Sequence, residues 1–160
     1  MASAVLVLTA ACSDGKAFSS AAERRAQAAT DTAYAAIQSR GAHAMGVDQY
    51  TATHRFTPTP DGGRIELRRD QIDSTGARQI QLHMEQIAAA FKAGDFALPG
   101  FVHARDVPGT ATMAERRALI GYTVEPVPGG AALRLQSSDP DAVQAIHEFL
   151  TFQRADHHSR

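Results

Sequence analysis

Seven histidines, His43, His54, His83, His103, His147, His157 and His158, are the residues of this sequence best suited to chemistry. A neutral imidazole offers one lone pair and is a common ligand for zinc, copper and haem iron. His83 lies one helical turn from Ile80 and from Ile87, at the margin of an apolar stripe, and His147 has a similar relation to Val143 and Leu150. Both rings are expected to point into protected space, and symmetric packing of their two segments would bring them together. His103 stands in a stretch bracketed by Pro and Gly beside Arg105 and Asp106, a common placement for site residues. His157 follows Asp156 at the close of the last helical segment, where the helix dipole favours a cationic ring even without function. The expected metal set is therefore His83, His103 and His147, with His157 as fourth ligand. Met84 and Met113 add thioethers suited to copper, and the candidate cofactors are copper, zinc or haem.

The same residues have a structural reading. A helix-edge histidine commonly donates to a backbone carbonyl without binding anything. Glu85 and Glu148, next to the two helical histidines, could act as acid/base groups, yet such carboxylates more often form solvated faces. No His-Glu-x-x-His, Cys-x-x-Cys or EF-hand loop occurs, so any metal site must be assembled by the fold. Nor is there a Gly-x-Ser-x-Gly elbow, a phosphate-binding Gly loop with Lys, or a dinucleotide fingerprint, and no catalytic set emerges.

The elements that must position these residues follow from periodicity. Residues 21–40 are Ala-rich without Gly or Pro and predict a helix ended by Gly41, with Ala26, Ala29, Ala33, Tyr34 and Ile37 on one face. Tyr50 to Thr57 and Arg64 to Arg68 read as strands around an Asp61-Gly62-Gly63 turn. A helix is expected from Ser74 to Ala93, stopped by Gly94. The Pro/Gly-rich stretch from Phe96 to Gly109 reads as loop with a short strand at Phe101 to His103, and Met113 to Arg117 as a helical turn. Leu119 to Val124 and Ala132 to Gln136 form a second hairpin about Pro128-Gly129-Gly130, and a helix opens at Asp139-Pro140 and runs to about Ala155. The order is hairpin, helix, hairpin, helix, which suggests a duplication. Aligned on the second Gly of each turn, His83 follows by 20 positions and His147 by 17. The expected fold is α+β: an antiparallel sheet of about four strands from two hairpin-helix units, helices over one face, preceded by an N-terminal helix.

At 160 residues, residues 21–160 are expected to form one domain. A net charge of -1 provides no field to collect nucleic acid, and the absence of Trp removes the best stacking platform. One cysteine rules out an internal disulfide or a Cys-rich zinc site. That cysteine has a different reading. Ala4 to Ala11 is an uncharged apolar run ending on Cys12, far short of the about 20 residues that cross a bilayer but matching the hydrophobic part of a secretory signal.

Leu8-Thr9-Ala10-Ala11-Cys12 resembles the lipobox of bacterial lipoproteins, which implies lipid on Cys12, a signal over residues 1–11 and a tether over 12–20. Met1-Ala2-Ser3 lacks the basic start of a signal, which suggests a start codon further upstream. Ser13 after the cysteine implies, by resemblance to proteobacterial lipoproteins, the outer membrane of the envelope with the domain facing the periplasm.

The stretches Asp61 to Ile65, Phe91 to Phe96, Val107 to Thr110 and Ile146 to Gln153 are similar to a family of small exported bacterial proteins that carries no established activity. Some similar sequences bear the label aspartate carbamoyltransferase. The Ser-Thr-Arg-Thr phosphate loop and the four-cysteine zinc site of that enzyme are both absent here. The sequence thus points to an envelope lipoprotein that binds a small ligand, with a structural envelope protein and an enzyme of unrecognised type as alternatives.

Overall fold

Alternating apolar and polar residues build two hairpins, and in the computed structural model these join into one antiparallel sheet. The structure describes residues 21–45, 51–71 and 73–157. Cys12, the signal and tether expected over 1–20, Tyr50 and His158 lie outside the described residues. The chain runs α1 (Ala21–Met45), β1 (Ala52–Thr59), β2 (Gly62–Arg69), α2 (Ser74–Ala93), α3 (Ala97–His103), α4 (Thr110–Glu115), β3 (Gly121–Val127), β4 (Gly130–Gln136) and α5 (Pro140–Asp156). The fold is α+β, as its hairpin-helix order predicts, with strand order β1-β2-β4-β3. Among the described residues no helix is long and apolar enough to cross a membrane.

Register decides which side chains face the helices. Phe56, Ile65, Leu133 and Val124 stand side by side across the four strands, and His54 pairs with Leu67 on the same face. The opposite face carries charge. Arg68 reaches Glu66 at 2.9 Å, Arg64 pairs with Glu66 and Glu125, and Arg134 pairs with Asp61. This mixed-sign surface keeps one side of the sheet in water.

Helices α2 and α5 are each capped by an Asp. Asp73 accepts from the Gly76 amide at 2.5 Å and Asp139 from Ala142 at 2.8 Å, bonds that stabilise a helix by about 1 kcal/mol each. The two helices then exchange partners: α2 lies chiefly on β3 and β4, and α5 on β1 and β2. Ile80, Met84, Ile146, Phe149 and Leu150 bury the apolar stripes against the sheet.

The halves are related by a pseudo-two-fold axis, in a register different from the one the glycine turns suggest. Pro58, Pro60, Gly62, Ile65 and Leu67 match Pro126, Pro128, Gly130, Leu133 and Leu135, each 68 positions on. The backbone repeats the match: Arg69 N–H donates to Gly129 O and Ser137 N–H to Asp61 O, both at 2.9 Å. A Cβ on Gly62 would stand 2.3 Å from Leu135 O, and one on Gly130 would stand 2.0 Å from Leu67 O, so the strand junction needs glycine at both. In the helices the caps Asp73 and Asp139 are 66 positions apart, which places His83 opposite Phe149 and leaves His147 opposite Gln81.

Three local expectations are corrected. Gly41 does not end α1, which continues to Met45; glycine inside a helix costs only about 1 kcal/mol, and this one is buried against the domain. The face expected to pack is only partly used: Ala26, Ala29 and Ala33 are exposed, while Ile37 and Gln38 are buried. The short strand expected at Phe101 to His103 is the end of helix α3. Pro99 occupies its first turn, where an amide donor has no intrahelical partner to lose, and the Asp95 side chain accepts from Ala97 N–H at 2.8 Å.

Candidate functional site

A cavity of about 90 Å³ opens where α1, α3 and the end of α5 meet the inner face of β1 and β2. Four histidines line it: His54 from β1, His83 from α2, His103 from the last position of α3, and His157 directly after α5. Met84, Ile87, Phe56, Leu67 and Pro99 supply apolar walls, and Gly41 forms part of the α1 side. Three of the four expected ligands, His83, His103 and His157, are thus brought together. His54 joins them, and the strand pattern signalled it, because it lies two residues before the inward Phe56 and so shares its face.

His147 is not part of this group. Its Nε2 lies 2.9 Å from the Thr59 carbonyl and donates there, tying α5 to the end of β1. The ring satisfies a backbone acceptor, and the expected approach of His83 to His147 does not occur, because the cap-based register offsets them. Met84 lines the cavity while Met113 is buried elsewhere in the core. Glu85 and Glu148 are exposed, as solvated helix faces are, and His43 is exposed beside Phe101.

The rings are close. The centroids of His54 and His157 are 5.0 Å apart and stacked, and His103 meets His157 edge-on at 5.1 Å. Burial pushes His54 down to about 4, with a further contribution from neighbouring His83, and burial alone lowers His83 to about 4. Both are therefore neutral imidazoles at pH 7, each with a nitrogen lone pair in an apolar setting.

His103 is held differently. It is 6% exposed, its Nδ1 lies 2.9 Å from Asp156 Oδ2, and its Nε2 lies 2.9 Å from Gln153 Oε1, which accepts from it. Arg105 donates to both Asp156 oxygens at 2.7 Å and lies over the Phe152 ring. Partial burial works to raise the Asp156 pKa, but hydrogen bonds from Arg105 and His103, with their charges, outweigh it and hold the carboxyl below its usual range. Between His103 and Arg105, Ala104 takes a left-handed conformation at φ 52°. A non-glycine residue in that region carries strain, and here the turn lets both neighbours reach Asp156.

The pseudo-two-fold axis supplies an internal control. His54, His83 and His157 correspond to Tyr122, Phe149 and Phe91. Phe91 packs on Tyr122 at 6.1 Å and on Phe149 at 5.7 Å, and Phe96 stacks on Phe91 at 4.4 Å. One half therefore closes with aromatic hydrocarbon where the other gathers imidazoles. Comparison with protein-family models, with curated proteins and with solved structures finds no match to this chain, so the reading of the site rests on its own geometry.

Proposed function

We propose that this protein is an exported lipoprotein of the bacterial cell envelope, anchored through lipid on Cys12, whose domain binds a transition-metal ion in the histidine-lined cavity. The observation that carries the binding reading is the gathering of His54, His83, His103 and His157 around one space. Burying imidazole is unfavourable unless its polar nitrogens find partners, and the matched half shows that Tyr and Phe fill the same positions. With metal–nitrogen bonds of about 2.0–2.1 Å, two imidazoles on one tetrahedral ion have centroids roughly 5 Å apart. The spacings of 5.0 Å for His54 with His157 and 5.1 Å for His103 with His157 match that separation, and the near-parallel planes of His54 and His157 must turn for their lone pairs to meet on one ion. Among the described residues no three His, Cys, Asp or Glu side chains are already arranged to hold an ion, so binding requires ring rotation within the cavity. Zinc and copper are the candidates, Met84 adding a thioether for copper. A porphyrin is a poor fit: pockets for ligands of drug size run to about 300–1,000 Å³, against about 90 Å³ here.

The test is calorimetric titration of the full chain, purified without a His-tag, with zinc and copper. One ion per chain is expected, with affinity reduced at least tenfold in His54→Ala/His157→Ala. Stoichiometric binding that survives the double substitution would sink the site. Failure to bind any metal favours a structural envelope protein. The anchor is tested separately by mass spectrometry for acylated Cys12 and by release of a Cys12→Ser variant from membranes.

A further inference from the structure

A histidine that ligates a metal through one nitrogen almost always donates its other ring N–H to a carboxylate, carbonyl or water, which fixes the tautomer and the ring plane. His103 is already held in that way. Its Nδ1 is fixed on Asp156, Arg105 holds the same carboxylate at both oxygens, and Nε2 is turned toward Gln153, which lines the cavity. Gln153 is 5% exposed and stands at the place an ion bound to Nε2 would approach. Neither His54 nor His83 has an outer carboxylate of this kind among the described residues.

Resting on the metal reading above, we infer that His103 is the anchoring ligand of the centre, that Asp156 with Arg105 is its positioning pair, and that Gln153 occupies Nε2 until an ion displaces it. The ring is pre-set by Asp156; for the ion to bind, the Gln153 Oε1 acceptor moves away and Nε2 gives up its N–H proton to solvent, which frees the lone pair. The strained turn at Ala104 fits this role, because it is what places His103 and Arg105 on one carboxylate.

The two flanking residues give opposite expectations. Asp156→Asn keeps the shape of the side chain but removes its charge, and zinc and cobalt(II) affinity should fall by about 10- to 100-fold. Asp156→Glu should recover part of that loss. Gln153→Ala removes the competitor for Nε2, and affinity should rise several-fold with the cobalt(II) visible spectrum preserved. General destabilisation cannot produce a gain in one variant and a loss in the other, and the Gln153→Ala arm remains decisive if Asp156→Asn fails to fold. Wild-type protein that binds no zinc or cobalt(II) refutes the metal centre itself. Wild-type binding that neither variant changes leaves the centre standing and overturns the assignment of His103. Weaker binding in Gln153→Ala overturns its role as a placeholder.

Discussion

The two halves of this molecule solve one packing problem with different side chains. In the half built on β3 and α2, Tyr122, Phe91, Phe149 and Phe96 close against one another with ring centroids 4.4 to 6.4 Å apart. In the half built on β1 and α5, the matched positions carry His54, His157 and His83, with His103 from α3 beside them and a cavity between. The backbone frame is shared, down to the reciprocal bonds of Arg69 and Ser137. Stability alone therefore does not call for imidazole at these positions. The aromatic half serves the fold, and the histidine half gives up hydrophobic packing for polar nitrogens. Even the aromatic half keeps a polar group: the Tyr122 hydroxyl is buried without a hydrogen-bond partner among the described residues, and burial raises its pKa above the ordinary phenol range.

The sharpest way to break this contrast is to substitute each half at the matched helix position. Phe149→Ala should cost about 3–5 kcal/mol, since Phe149 is 2% exposed and touches both Phe91 and Phe96. His83→Phe, which copies the aromatic half, should leave stability at pH 7 unchanged or raise it while weakening metal binding. Urea unfolding of both variants checks the pair. A loss in His83→Phe as large as that in Phe149→Ala would mean that the histidine half depends on its own packing, and the contrast would fall.

Acid should separate the halves next. In the unfolded chain His54 and His83 titrate near the ordinary 6.5, whereas burial holds both at about 4 in the folded protein. Between these values the unfolded state binds protons that the folded state does not, so stability is complete above about pH 6.5 and is lost as pH falls toward 4. Each histidine contributes on the order of 3 kcal/mol to that loss as an upper bound. The variant carrying His54→Tyr, His83→Phe and His157→Phe should lose this part of the acid sensitivity while keeping that of the carboxylates. Thermal melts of the metal-free proteins from pH 7 to pH 4 check it, and parallel profiles would show that the cluster is not what acid attacks.

Much of this frame is legible in the sequence, for identifiable reasons. Alternation and Gly turns predict both hairpins, and Asp139-Pro140 marks the start of α5, because these signals are local. Helix α3 is hidden by Pro99 and Gly100, which read as loop although a proline in the first helical turn breaks nothing. The histidine set is half legible. His83, His103 and His157 stand out by neighbourhood, but the pairing of His83 with His147 rests on aligned turns, and the helix caps shift that alignment by two positions between strand and helix. His54 looks like one polar residue in a strand until the inward row is fixed by Phe56. Which rings converge depends on helices crossing to the opposite hairpin, a tertiary fact that no local pattern carries.

The smallest expected difference tests whether the frame itself is symmetric. Asp73 and Asp139 cap α2 and α5 in the same way, each accepting from the amide three residues on. Removing either cap by substitution to Ala should cost about 0.5–2 kcal/mol. Asp139 also receives a hydrogen bond from Arg116 at 2.9 Å, whereas Asp73 faces Arg69 at 3.3 Å. Such half-exposed pairs contribute roughly 0–1 kcal/mol, so Asp139→Ala should be the costlier by no more than that margin. Chemical denaturation of the two variants at moderate salt measures it. Equal or nearly equal losses would place the asymmetry of the molecule in its ring clusters, while a large gap would put part of it in the helix starts.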